Sequence, residues 1–200
     1  MKNWMLGASL ATLALSPVAM AEPTDREVQQ VMKRDFRAKG QAGMDRLQQD
    51  SVQRACTASH DKPPAALAKA LEADQMKTIV FPSGSLLGNW KNGAKIAASG
   101  RGMQWNENPK KPAGGSCYNC HQLSPGQASY GTIGPSLLGF GKKRGYTAEM
   151  QKYAYGKIYN AKAYNLCSHM PRFGTTGSLT EQQIKDLVAY LMDPTSPVNK

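Results

Sequence analysis

Apolar positions recur at helical spacing in successive stretches of this chain. Val28, Met32 and Phe36 stand at steps of four and predict a polar helix starting at Asp25, interrupted by Gly40 and Gly43. A weaker stripe of Met44, Leu47, Val52 and Ala55 runs up to Cys56. Leu67, Ala70 and Leu71 share one side of a helical piece over about 64–76, opened by Pro63-Pro64. The short, partly β-branched run Thr78 to Phe81 ends at Pro82 and predicts an extended link. Trp90 to Ala98 predicts a helix, with Gly93 placed for a close helix crossing. Thr147 is an N-cap for a helix to Asn160, on which Met150, Tyr153, Ala154 and Ile158 share a face. The last helix carries the clearest signals. Thr180 and Gln183 form a capping-box pair, Leu179 and Ile184 a hydrophobic staple, and Ile184, Leu187, Val188 and Leu191 one apolar face that Pro194 ends. The pattern predicts a mainly α protein, with a helical extension over 22–84 and a second domain over 85–200.

The first 21 residues change the picture. Lys2 precedes a short apolar run, Met5 to Leu15, and Ala19-Met20-Ala21 has the small-x-small form of a signal-peptidase site. A cleaved export signal over 1–21 is expected, and with it a periplasmic location; an uncleaved anchor is the competing reading. No later stretch is apolar enough to span a bilayer. Twenty-five Lys and Arg against 14 Asp and Glu give a formal charge of +11, which falls to +10 once Lys2 leaves. Such a basic exported protein meets an acidic partner, an anionic substrate or a membrane surface, or merely carries a solvated face. Nucleic acid is not expected, since no recognition motif is present and the compartment is wrong.

Against this background stands Cys117-Tyr118-Asn119-Cys120-His121, a C-x-x-C-H motif. The spacing suits covalent attachment of one haem c: Cys117 and Cys120 add to the two vinyl groups, and His121 becomes the proximal iron ligand. Half of a zinc site shares this spacing, but Cys56 and Cys167 are too far apart in sequence to be its close second pair. A thioredoxin-like pair wants a preceding strand, and here a Gly- and Pro-rich loop precedes.

The surroundings resemble class I cytochromes c, and the resemblance implies further roles. Gly134-Pro135-Ser136-Leu137 matches the segment whose proline carbonyl accepts the imidazole Nδ1–H, a bond that fixes the ring, so Pro135 is expected to support His121. Tyr190 falls where an aromatic meets the glycine of the first haem-domain helix, here Gly93. Met170-Pro171, just before the last helix, is placed as the distal iron ligand, and thioether ligation raises the haem potential. His169, Cys167 and the weaker Met103 compete for that place. Cys56 and Cys167 remain; in an oxidising compartment an even remainder predicts a disulfide, with two separate buried thiols as the alternative.

A closer family likeness lies in several stretches. Gly-Asn-Trp-Lys-x-Gly at 88–93, Ser-Gly-Arg-Gly at 99–102, Gly-Gly-x-Cys-Tyr-x-Cys-His-Gln-Leu at 114–123 and Ser-Tyr-Gly-Thr-Ile-Gly-Pro-Ser-Leu at 129–137 resemble the SoxX family. So do Lys157 to Ala161, the run Cys167-Ser168-x-Met170-Pro171-Arg172-Phe173-Gly174 and the tail from Asp193. The resemblance covers at least 85–200. It implies a class I cytochrome c-like monohaem subunit paired with a SoxA cytochrome. That complex acts as an L-cysteine S-thiosulfotransferase, joining thiosulfate to a cysteine of the SoxYZ carrier. The catalytic haem is expected on SoxA, so this chain accepts electrons and passes them to a soluble cytochrome. From the residues alone, a free electron shuttle and a haem sensor stand beside that reading.

Overall fold

The computed structural model describes residues 23–200, and the leader expected over 1–21 lies outside them. The described residues form helices α1 (Asp25–Asp35), α2 (Ser51–Ala58), α3 (Ala65–Lys77), α4 (Trp90–Ala98), α5 (Phe140–Arg144), α6 (Ala148–Tyr159) and α7 (Glu181–Met192). Tight 3-10 turns lie at Met44–Leu47, Cys117–Asn119, Ala161–Ala163 and Pro197–Asn199. Among the described residues there is no strand, and none of their helices is long and apolar enough to cross a membrane. The fold is mainly α.

The chain divides into two compact units at Phe36 and Arg37. In the first, Thr24 caps α1 through a capping box with Glu27, and no residue of α1 is buried. The second, Arg37–Lys200, holds every remaining element, so residues 37–84 share a unit with 85–200.

The core of that unit is built where α4 and α6 meet α7. Asn89 caps α4 by accepting the Lys91 and Asn92 N–H groups, and Thr180 and Gln183 cap α7 reciprocally. Leu179 and Ile184 are both buried, as a staple requires. A Cβ at Gly93 would lie 2.1 Å from the Asp186 carbonyl oxygen and 2.8 Å from the Tyr190 Cβ, so only glycine lets α4 cross α7 this closely. The expected meeting of Gly93 and Tyr190 is therefore present. Buried Asp186 accepts the Asn89 N–H at 2.8 Å and locks the start of α4 to the middle of α7. Tyr155, Ile184, Val188 and Met192 are fully enclosed, and the apolar side chains among them each contribute roughly 1.5–3 kcal/mol relative to exposure.

A second, smaller cluster joins the two halves of this unit. Val52 and Cys56 of α2 pack with Leu166, flanked by Ala68 and Leu71 of α3. Polar bonds reinforce the junction. The Leu166 N–H donates to Glu72 Oε1 at 2.9 Å, and buried Asn160 donates to Gln75 Oε1 at 3.0 Å and Thr78 Oγ1 at 2.9 Å. Residues of α2 and α3, read from sequence as part of an extension, thus lie on the segment that leads into α7.

The long polar loop before the haem motif is not loose. Gln41 Nε2 donates to the Gln104 carbonyl at 2.7 Å, and the Arg46 guanidinium donates to the carbonyls of Met103 and Gln41 at 2.7 and 2.9 Å. Glu107 gathers the Gly102 and Gln104 N–H groups at 2.6 and 3.0 Å, and the Lys39 ammonium sits 3.5 Å from the Trp105 ring centre.

Candidate functional site

One tight turn carries the residues of the C-x-x-C-H motif. The Cys120 and His121 N–H groups both donate to the Cys117 carbonyl, at 3.2 and 2.9 Å, so the two thiols and the imidazole leave a single short arc. The following loop is stitched along it: Gly131 N–H reaches the Tyr118 carbonyl, Gly134 N–H the Cys120 carbonyl and Leu137 N–H the Gln122 carbonyl, each at 2.8 Å. This stitching presents the Pro135 carbonyl to His121 Nδ1 at 2.7 Å. A carbonyl only accepts, so Nδ1 carries the proton and the lone pair resides on Nε2, the tautomer an iron ligand needs. A Cβ at Gly134 would fall 2.2 Å from His121 Cε1 and 2.6 Å from Nδ1, so the ring lies flat against a backbone that has room for no side chain.

Both thiols are free and partly buried. Until it is joined to haem, burial pushes the Cys117 thiol up to about 12, with the neighbouring Cys120 adding to the effect, so it is a neutral thiol. The Cys117 side chain packs on the main core, as do Tyr118, Leu137 and Met170.

The other candidate ligands are sorted by the same core. Met170 is partly buried and packs into it, whereas the adjacent His169 side chain is 81% exposed, with Nε2 3.3 Å from Asp61 Oδ2. Met103 and His60 are exposed. Cys167 is joined to Cys56 in a disulfide with a Cα–Cα separation of 5.5 Å. The loop around Met170 is further held by an ion pair between Arg172 and Asp50, and by Ser168 Oγ, which accepts the Met170 N–H at 3.2 Å. A cavity of about 870 Å³ opens beside this loop, lined by Cys56, Cys167, Ser168, Met170 and the basic groups of Lys162 and Arg172.

These residues fit haem c. Two cysteines not tied in a disulfide stand in the C-x-x-C-H pattern, an imidazole is locked in the ligating tautomer by a cradle too tight for any Cβ, and a thioether packs on the same core as Cys117. A helical fold around such a site defines a c-type haem protein.

The chain belongs to the cytochrome c family, whose model matches residues 91–194. It holds one covalently attached haem c and is an electron-transfer protein. It is similar to an uncharacterized lipoprotein of Aquifex aeolicus (strain VF5), 39% identical over 157 residues that cover 76% of this chain and 73% of that one. A solved structure, the crystal structure of SoxXA from P. pantotrophus, is 28% identical over 58% of this chain and 89% of that chain, with a TM-score of 0.41.

Several residues that build the site are not singled out by sequence reasoning. Asp50, Glu72 and Lys162 hold the Met170 segment, and Gln41 and Arg46 hold the loop before the motif. Asp50 left one local trace, its place three residues before Gln53 in a capping box. Lys162 adjoins the SoxX-like run Lys157 to Ala161, and its burial shows only in the fold.

Proposed function

We propose that this protein is the monohaem electron-transfer subunit of a periplasmic SoxAX-type complex. In that reading Cys117 and Cys120 anchor the haem, His121 and Met170 are the two iron ligands, and Pro135 fixes the imidazole. Haem bound there supplies a one-electron Fe(III)/Fe(II) couple. The chain's own residues set its terms: Pro135 holds the His121 proton on Nδ1, and the packed thioether of Met170 favours the reduced state and a raised potential. A SoxA partner carries out the oxidative joining of thiosulfate to a SoxYZ cysteine, so the L-cysteine S-thiosulfotransferase activity belongs to the complex. Electrons leave this chain for a soluble cytochrome.

The observation that carries the reading is the disposition of its four cysteines. Cys56 and Cys167 are bridged, and Cys117 and Cys120 are consumed by haem, which leaves no thiol on this chain to accept or carry sulfur. A relay with no sulfur-accepting group of its own suits the SoxX-like stretches at 88–137 and 157–174. Export before haem attachment follows from the leader at 1–21, and the name of the Aquifex relative, a lipoprotein, points to export as well. The test is co-purification of the tagged, haem-loaded protein from its own periplasm. A stable pair with a larger cytochrome, whose haems are reduced on adding thiosulfate and the carrier, is the expected result. A lone monomer reduced only by other donors makes the protein a free shuttle and overturns the proposal.

A further inference from the structure

Two ligand-capable side chains, His169 and Met170, are neighbours in one loop. Imidazole binds ferric haem more tightly than a thioether does, so something must keep His169 outside. The exposed ion pair of His169 with Asp61 is too weak to do so alone, since pairs of this kind contribute about 0–1 kcal/mol.

A buried lysine lies beneath the same loop. Lys162, in the turn that follows α6, is only 9% exposed. Its ammonium donates to the Leu166 carbonyl at 3.1 Å and the Ser168 carbonyl at 3.3 Å, the residues on either side of Cys167. The Ser168 carbonyl belongs to the peptide plane that also contains the His169 N–H. Net rotation of the backbone about the bonds flanking that plane is what would re-aim His169 and Met170, and the bond to the Ser168 carbonyl resists it. Ser168 Oγ then accepts the Met170 N–H, which extends the constraint by one residue. The charge is costly to enclose: burial lowers the Lys162 pKa, Arg172 lowers it further, and Asp50 and Asp61 only partly offset this. A buried ammonium spent wholly on loop carbonyls is therefore expensive for a purely structural strap.

Resting on the reading of Met170 as distal ligand, we infer that Lys162 is a positioning residue that selects Met170 over His169. It does so by fixing the Ser168–His169 peptide plane through its bond to the Ser168 carbonyl.

The test uses the full haem-loaded protein and reads the ferric Met–iron charge-transfer band, the low-spin electron paramagnetic resonance signature and the midpoint potential. Lys162→Met keeps the length and removes every donor. It is expected to shift the ratio of Met- to His-ligated protein at least tenfold towards histidine, with loss of most of the band and a fall in potential. Lys162→Arg, which retains donors, should recover much of the band. Adding His169→Ala to Lys162→Met should bring the band back, because the competitor is gone. An unchanged band in Lys162→Met overturns the inference, as does a band lost there but not restored by His169→Ala, which would mean general loosening of the loop. If Lys162→Met does not load haem, Lys162→Leu, which also lacks any side-chain donor, is read by the same criteria. A wild-type protein without the band would instead overturn the Met170 reading itself.

Discussion

The two sides of the haem site are built in opposite ways. On the proposed proximal side, the residues assigned to attachment, ligation and support all fall between Cys117 and Leu137, and every stabilising bond named there closes within that stretch. On the proposed distal side, besides the local bonds of Ser168 and Lys162, the tethers reach far back along the chain. Cys167 is bridged across 111 residues to Cys56, Arg172 pairs with Asp50, Leu166 N–H is held by Glu72, and His169 meets Asp61. The difference teaches where the protein is adjustable. A ligand whose supports are local is fixed as soon as its loop forms, whereas a ligand whose supports come from α2 and α3 answers to the stability of those helices. The segment over 50–78 is then a clasp on the distal loop.

The contrast is broken most severely by removing the bridge. Cys56→Ser with Cys167→Ser releases a closure of over a hundred residues, for which the chain-entropy estimate is about 4–5 kcal/mol. Denaturant titration should show that loss, and on mild heating the Met–iron band should disappear before the covalent haem and its His121 ligation are disturbed. Next in size is Gly134→Ala, which drives a methyl group into the His121 ring and costs about 1–3 kcal/mol of overpacking. Its signature is the reverse: the proximal histidine bond, followed by resonance Raman on the five-coordinate ferrous haem of a Met170→Ala background, should weaken while the Cys56–Cys167 bridge stays intact.

The smallest effect sharpens the comparison through pH. Burial works against ionisation of Asp50, but the Gln53 and Val52 N–H groups and the Arg172 guanidinium outweigh it and hold the carboxyl below its ordinary value. A carboxyl depressed in the folded state contributes stability above its unfolded pKa and loses it as pH falls through the folded one. Asp50→Asn keeps an N-cap for α2 yet removes the charge. Thermal melts should show a loss of about 1 kcal/mol or less near neutrality that vanishes at low pH. The Met–iron band should become correspondingly less acid-sensitive, and the proximal side should not respond.

The same asymmetry explains what the sequence discloses. The boundaries of α4, α6 and α7 are legible because Asn89, Thr147 and Thr180 cap them locally, and the approach of Gly93 to Tyr190 follows from the need for a small residue at a helix crossing. The placement of His121 against Pro135 is also a short-range matter. Of the clasp, the Cys56–Cys167 bridge is legible and little else is. Glu72 and Lys162 spend their charges on backbone groups, which leave no partner residue to recognise in the sequence. Five-residue α5 escapes notice because it is shorter than two turns and starts from Gly139 in the left-handed region, φ 65°. The loop over 99–116 looks featureless until Gln41 and Arg46, far earlier in the chain, are seen to bind its carbonyls.

The most direct test of the account is the ferric optical spectrum of the haem-loaded protein beside that of Met170→Ala. A site closed by His121 on one side and the clasped Met170 on the other predicts a Met–iron charge-transfer band that is present in the first and absent from the second, with a lower midpoint potential in the variant. A band that survives Met170→Ala, or was never present, contradicts it.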